Sequence, residues 1–334
     1  MRINRIIRNV LGISSICIMV FGCAACQKSE SKLTKVTLNE VAHSIFYAPQ
    51  YVAIENGYFE EEGIELELVT GFGADKTMSA VVAGEADIGF MGAESSLYLY
   101  REGAKNYAIN FAQLTQRAGN FLVAREKIEN FTWEMLKDKE VLGGRKGGMP
   151  EMVFEYVLKK NGLSPANDLK INQSIDFGST AAAFSGGQGD FSVEFEPAAT
   201  ELEKSGEGYV VASLGVESGY VPYTSYCATK SYLEANEEVI QRFTNALQKG
   251  MNYVDTHTAK EIAKVIAPQF KETDLETIEK IVTRYYDQET WKDNLIFEES
   301  SFDLLQSILL DAGELTEVVP YDKVVDNQYA KEAE

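Results

Sequence analysis

The sequence predicts an α/β protein of two similar lobes, each built on a mostly parallel sheet, joined by a hinge of crossing segments with a ligand cleft between them. Three observations lead there. First, two stretches repeat. Leu66-Glu67-Leu68-Val69, the loop Gly71 to Asp75, a small-residue helix and then Gly84 to Phe90 are matched by Leu169-Lys170-Ile171-Asn172, the loop Asp176 to Thr180, a second small-residue helix and Gly187 to Val193. A constant offset places Thr77 on Thr180, Ala80 on Ala183, Gly84 on Gly187 and Asp87 on Asp190. Second, a helix that stops at Asn-Gly precedes each copy, at Asn56-Gly57 and Asn161-Gly162, and glycine suits the left-handed residue that ends a helix. Third, strands alternate with short helices, which implies right-handed crossovers and parallel pairing.

The elements follow in order. Lys35 to Val41 alternates as a first strand, and Pro49 opens a helix that runs to Glu55, proline being at home in a first turn. Ile64 to Val69 is a strand, Asp75 can cap the helix behind it, and Ala86 to Phe90 is a buried strand. Gly92-Ala93-Glu94-Ser95 opens a helix to Glu102, and Ala108 to Leu114 and Phe121 to Ala124 are two more strands. The second unit begins with a helix from Thr132 to Lys137, the strand Val141-Leu142, the glycine-rich loop Gly143 to Met149 and a helix from Pro150. After the repeat, Glu194-Phe195-Glu196-Pro197 opens a helix that ends near Gly206, and Tyr209 to Ala212 is a strand. Pro222 to Tyr226 leads into a strand that returns the chain to the first lobe. Helices follow at 238–255, 259–266, 275–286 and 302–311, expected to sit on the first lobe, and the charged tail after Pro320 is expected to fray.

The N-terminus carries Arg2, Arg5 and Arg8, an apolar run from Val10 to Phe21, and Gly22-Cys23-Ala24-Ala25-Cys26. The apolar run is too short to span a bilayer, which needs about 20 residues, so residues 1–22 read as a secretory signal. A cysteine at the cut reads as a lipoprotein signal: Cys23 is the favoured lipidation site and Cys26 the alternative, with residues 23–34 a tether. Cys17 lies in the signal, which leaves Cys227 alone in the folded region, so no disulfide framework or cysteine metal site is available. His43 and His257 are the only histidines, and a single histidine near a cleft is no metal site. No cofactor is expected. The formal charge of −20 excludes nucleic acid as a partner, because that contact needs basic surface.

Ser44-Ile45-Phe46-Tyr47-Ala48-Pro49-Gln50-Tyr51, the Asn56-Gly57-Tyr58-Phe59 helix stop and Ala83-Gly84-Glu85-Ala86-Asp87-Ile88-Gly89-Phe90 together resemble the periplasmic-binding-protein-like (type II) substrate-binding proteins of ABC importers. The similarity is to the nitrate, sulfonate, taurine and thiamine-pyrimidine-precursor branch, and it covers nearly all of the chain beyond the signal. It implies a discontinuous first lobe, 35–125 and 222–320, a second lobe at 126–221, crossing segments near Arg125-Glu126 and Gly219-Val221, and a tail at 321–334. It implies a monomeric, lipid-anchored receptor on the outer face of the cell membrane that is not an enzyme. Such a receptor closes on a small molecule and delivers it to permease subunits.

In parallel sheets ligands bind beyond the carboxyl ends of the strands. That rule selects Ser44, Phe46, Tyr47, Gly73, Ala74, Asp75, Gly92, Glu94, Gln116 and Arg117 in the first lobe, Arg145, Gly147, Gly148, Met149 and Glu196 in the second, and Tyr223 on the return. Each has a plainer reading. Phe46 and Tyr47 can be core packing, Asp75 and Glu94 helix-capping charges, Glu196 an N-terminal helix charge, and Arg117 and Arg145 solvated rim residues. Gly143 to Gly148 lacks the Gly-x-x-x-x-Gly-Lys-Ser/Thr order of a nucleotide loop. Two ligand classes remain open. The aromatics and the Glu194-Phe195-Glu196 segment suit a nitrogenous heterocycle such as a thiamine pyrimidine precursor. Arg117 and Arg145 could hold a sulfonate or taurine-like anion in bidentate fashion. The alternatives of another class are a pyrimidine-synthase-like enzyme on the same fold, or a ligand sensor for a membrane kinase.

Overall fold

The computed structural model describes residues 33–175 and 177–333, Phe177 by its backbone alone. The signal segment and both candidate lipidation sites, Cys23 and Cys26, lie outside the described residues.

Among the described residues ten strands form two five-stranded sheets. The strands are β1 (Thr34–Glu40), β2 (Ile64–Thr70), β3 (Ile88–Gly92), β4 (Ala108–Thr115), β5 (Phe121–Ala124), β6 (Glu140–Leu142), β7 (Lys170–Asn172), β8 (Phe191–Glu194), β9 (Tyr209–Ser213) and β10 (Thr224–Thr229). The first sheet runs β2-β1-β3-β10-β4 and the second β7-β6-β8-β5-β9. The orders are equivalent. In each, the first strand of the unit lies between the second and third, in parallel. One strand then enters antiparallel from the other half of the chain: β10 in the first sheet, β5 in the second. The duplication is thus a duplication of topology.

The repeated residues do the same work twice. The Asp87 carboxylate accepts from the backbone N–H of Thr37 at 2.8 Å, and that of Asp190 from Glu140 at 3.0 Å. Each aspartate also donates its own N–H to the same residue's carbonyl, tying the third strand to the first. Thr77 and Thr180 are both buried with their hydroxyls bonded, to Asn39 and Glu194. Gly84 and Gly187 take the left-handed backbone (φ 74° and 93°) that glycine adopts without strain.

Three expectations need correcting. Phe121–Ala124, placed in the first lobe by the sequence, pairs with β8 and β9 in the second sheet. The first crossing therefore spans residues 116–120 and not Arg125-Glu126. Arg125 instead lies against the Phe184 ring, donating to the carbonyls of Gln188 and Gly189. The last long helix, Glu299–Ala312, packs on the second-lobe helix Met149–Lys160 and is tied to it by Lys159–Asp311 at 2.7 Å. The tail is not frayed: Val324, Val325, Tyr329 and Ala330 are buried, Val325 bridges to Asn110, and Tyr329 lies edge-on to Phe111. Its apolar residues alternate with charges at helical spacing, so counting charge alone hides the buried face.

The helix Glu237–Thr256 covers the first lobe by lying across Ala48–Glu55. Its Gly250 allows a close approach, since a Cβ there would stand 2.3 Å from the Pro49 carbonyl oxygen. Alanine would gain about 1 kcal/mol of helix propensity, but overpacking against a backbone atom that cannot rotate away costs about 1–3 kcal/mol. Gly250→Ala is therefore expected to be net destabilising, seen as a lower urea midpoint with an unchanged slope.

Candidate functional site

Two crossings join the sheets, residues 116–120 between β4 and β5 and residues 214–223 between β9 and β10. They are laced together. Leu214 N–H donates to Asn120 O at 3.0 Å, Val221 N–H to Gln116 O at 2.9 Å, and Tyr223 N–H to Thr115 O at 3.2 Å. Side chains reinforce the contact: Arg117 donates to the Gly215 carbonyl and Gln288 to that of Ala118. This ladder brings Asn120 and Tyr223, far apart in sequence, into one buried layer between the lobes.

Aromatic rings fill the layer from both sides. Phe46 from the first lobe packs against Phe195 from the second (centroids 5.6 Å), Tyr223 from the crossing (5.7 Å), Tyr47 and Tyr285. Gly119 must lack a side chain here, because a Cβ would stand 2.6 Å from both the Phe46 and Phe195 rings. The Ser44 hydroxyl crosses to the Glu196 carbonyl at 3.3 Å, and Tyr98 hydroxyl crosses to Met152 sulfur at 3.6 Å. Met149, at the start of the Met149–Lys160 helix, is buried.

Buried polar atoms without partners among the described residues include a donor on the first crossing, Arg117 Nε, and Gln113 Oε1 on β4; three more are Glu94 Oε2, Asn120 Oδ1 and the Tyr223 hydroxyl. Their side chains are 4%, 0% and 3% exposed as residues, and a buried polar atom left unpaired costs about 1–3 kcal/mol. Glu94 and Tyr223 are close enough to interact. The Glu94 carboxyl helps to raise the Tyr223 and Tyr47 hydroxyls above their ordinary range, after burial, the larger cause. Glu94 itself is pushed up to about 7 by burial, its own N–H pulling the other way. Its carboxyl group folds over Gly92, where a Cβ would stand 2.1 Å from Oε2. Tyr98 is raised by burial and then by the carboxyls of Glu94, Glu314 and Glu151. Glu151 is raised too, by burial and by neighbouring Glu155, although it accepts from Gly147 N–H and Gln173. The interior of the interlobe layer is therefore rich in acceptors.

Residues 45–260 match the family described as NMT1/THI5 like. The chain belongs to that family. The Bacillus subtilis (strain 168) protein YtlA is 46% identical over 313 residues, covering 94% of this chain and 93% of its own length. Among solved structures, the alkanesulfonate-binding protein SsuA from Xanthomonas axonopodis pv. citri bound to MOPS aligns at TM-score 0.70 and 16% identity, over 88% of this chain and 98% of its own. The periplasmic nitrate-binding protein NrtA from Synechocystis PCC 6803 aligns at 0.71 and 14%, over 90% and 88%. At that identity the match shows the fold, the periplasmic-binding-protein fold, and no more.

Against this NMT1/THI5-like frame the predicted site residues fall into three groups. Ser44, Phe46, Tyr47, Gly92, Glu94, Met149 and Tyr223 lie in or beside the buried interlobe layer. Gly73, Ala74, Asp75, Arg145, Gly147 and Gly148 form a rim, where Arg145 faces Asp75 across the lobes at 3.8 Å with both side chains exposed. The third group is turned away. Glu196 is saturated by the Thr200 N–H and hydroxyl and by Arg284. Arg117 pairs with Glu289 at 2.7 Å, stacks over Tyr220 and faces the outer side of the crossings, as does Gln116, bonded to the Glu289 and Trp291 carbonyls. The acid before proline is consumed by local capping geometry, and the arginine by an acid 172 residues away in sequence, a pairing no local pattern reveals. Asn120, Phe195 and Tyr98 were missed. Asn120 follows Gly119 beyond a strand end, which is the one local signal that could have found it.

Glu94 carries a pH signature. Its folded value of about 7 lies above the ordinary 4.5, so between those limits the folded state holds a proton that the unfolded chain has lost. Its contribution is full below the unfolded value and is lost as pH rises through about 7. It amounts to ~3 kcal/mol at most. Urea unfolding of the ligand-free protein between mildly acidic and mildly alkaline pH is expected to show falling stability, with Glu151 and Glu194 contributing in the same sense. Glu94→Gln should flatten that slope. An identical slope in both proteins would mean that Glu94 titrates normally.

Proposed function

We propose that this chain is the extracytoplasmic solute-binding lipoprotein of an ABC importer. It captures a small organic molecule between its lobes and hands it to the permease subunits. The observation that carries this reading is the interlobe layer, where both lobes and both crossings contribute buried side chains and buried polar atoms await a partner. SsuA is an alkanesulfonate-binding protein and NrtA a nitrate-binding protein, which supports a receptor on this fold over an enzyme. Among the described residues no helix is long and apolar enough to cross a membrane. The sequence motif around Cys23 supports an acylated tether there, where several acyl chains, each buried methylene contributing about 0.8 kcal/mol, would hold the domain at the bilayer.

The mechanism is a population shift. In the described conformation the lobes are joined by Arg284 with Glu196 and Glu203, Lys280 with Glu203, Lys204 with Asp274 and Arg145 with Asp75. The exposed pairs among these contribute only about 0–1 kcal/mol each. Moving an equilibrium from 1:99 to 99:1 takes about 5.5 kcal/mol, so rim pairs alone do not hold the receptor shut and ligand bonds in the interior decide. Arg284 differs. Burial works to lower its pKa, but the carboxylates of Glu196 and Glu203 outweigh it and hold the charge. Removing one partner of a buried pair costs about 3–5 kcal/mol.

Two outcomes test the reading. Cys23→Ser should move the protein from the membrane fraction to the soluble fraction while Cys26→Ser leaves it anchored, read by fractionation and blotting. A small-molecule thermal-shift screen should yield a ligand that also shrinks the radius of gyration in solution scattering. Arg284→Met should weaken that ligand, and a protein whose scattering never changes with any stabilising compound would not be a closing receptor.

A further inference from the structure

The outer side of the crossings carries a cavity of about 210 Å³, small beside the roughly 300–1,000 Å³ of pockets for drug-sized molecules. Its walls come from both lobes and both crossings. Gln113 on β4 belongs to the first sheet, Gln116 and Tyr220 to the first and second crossings, and Ser300 and Ser301 to the helix Glu299–Ala312 that packs on the second lobe. The walls differ in polarity. Gln113 is 1% exposed, and its Nε2 donates to the Thr115 carbonyl at 3.1 Å. The amide oxygen cannot make that bond, so the buried atom left without a partner, Oε1, is an acceptor. Gln116 has spent its N–H groups on the Glu289 and Trp291 carbonyls, which leaves its oxygen as the polar atom it can offer.

The helix side donates. Glu298 stands at the N-cap of Glu299–Ala312 and makes no capping hydrogen bond, so the first-turn N–H groups at Ser300 and Ser301 are open to a ligand. Such a helix end favours negative charge. Lys292, which also lines the cavity, adds a cation. Its side chain is 11% exposed, and its ammonium donates to the Ile296 carbonyl at 2.7 Å and to Glu298 at 3.4 Å, two of the three bonds it can give. The Tyr220 hydroxyl is held by Glu289 at 2.8 Å, so its half-exposed ring supplies an apolar face. A simple anion would leave the glutamine oxygens unmatched, and a simple amine would leave the helix end and Lys292 unmatched.

We propose that this cavity is a second binding site, for a free α-amino acid. Its ammonium meets the Gln113 and Gln116 oxygens and Glu298, and its carboxylate meets Lys292 and the helix end. The walls come together in the described conformation, so a bound amino acid favours that conformation over one with the lobes apart. This coupling, though not the site, rests on the receptor reading above. The amino acid would tighten capture of the solute between the lobes, and the solute would tighten the amino acid by the same factor.

The test uses the mature chain with glycine, L-serine and L-glutamine at millimolar concentration, and with acetate and methylamine, each of which carries one of the two charges alone. Calorimetry and thermal shift are run on the wild type, Gln113→Met and Lys292→Met. At least one amino acid is expected to bind, and each variant to weaken it roughly 10- to 100-fold, the loss of a hydrogen bond to a charged group. If Gln113→Met does not fold, Lys292→Met at the edge of the cavity reads the same site. A compound that closes the lobes is expected to bind about 5-fold or more tightly with the amino acid present. The proposal is overturned if no amino acid binds and the cavity holds ordered water only, if the folded variants bind as the wild type does, or if acetate or methylamine binds as tightly. It is also overturned if the closing compound displaces the amino acid, which would place both between the lobes. An amino acid bound at the hinge with no gain in solute affinity would keep the site and overturn its coupling. Loss of the site leaves the receptor reading standing, whereas a chain that binds the amino acid here and never compacts with any compound would do the reverse.

Discussion

The exchange of one strand between the two sheets is the constraint on which the rest depends. Because β5 belongs to the second sheet and β10 to the first, the chain must pass between the lobes twice within a short span. The two passages then satisfy each other's backbone groups, Asn120 with Leu214, Gln116 with Val221 and Thr115 with Tyr223. A buried crossing without such pairing would carry unmet donors and acceptors. The ladder therefore does two things at once. It makes the connection stable, and it sets side chains of both crossings on the dividing surface, where they join the strand-end loops of each lobe.

At that surface the molecule accepts a local cost. Unpaired polar atoms, among them Oε2 of the Glu94 carboxyl buried against Gly92, are unfavourable in the absence of a partner. The aromatic packing around them offsets this, with Phe46, Phe195, Tyr223 and Tyr285 forming contacts from both lobes and the second crossing. Such a layer is rigid in its rings and unsatisfied in its polar groups, a combination that favours a guest able to complete the hydrogen bonding over any that merely fits. The outer charge pairs differ in kind. They lie on the rim, are partly screened by water, and orient the lobes more than they hold them.

How legible the site was in the sequence depended on how local its causes were. Glu94, Gly92 and Tyr47 could be found because they follow strand ends, and strand ends in such sheets point to the cleft. Glu196 satisfied the same rule and yet turned inward, since Thr200, one helical turn on, offers both a backbone N–H and a hydroxyl, and Arg284 approaches from a helix nearly ninety residues later. Arg117 was misread for a related reason: its acid, Glu289, and its ring, Tyr220, come from two distant segments. Asn120 was overlooked because the strand after it was assigned to the wrong lobe, so the bend that exposes it to the interior was not foreseen.

By itself the sequence determined the duplicated architecture. Period, glycine placement and the paired Asp87 and Asp190 are local instructions, each settled within a few residues of the strand or helix it ends, and each is met in the fold. Only the tertiary structure decided which sheet received β5, that the last helix lies on the second lobe, and which polar atoms were left without a partner. Those outcomes rest on contacts between distant segments, such as Phe121 with Glu194 and Lys159 with Asp311, and whether a buried acceptor is satisfied can be read only after every donor around it has been assigned.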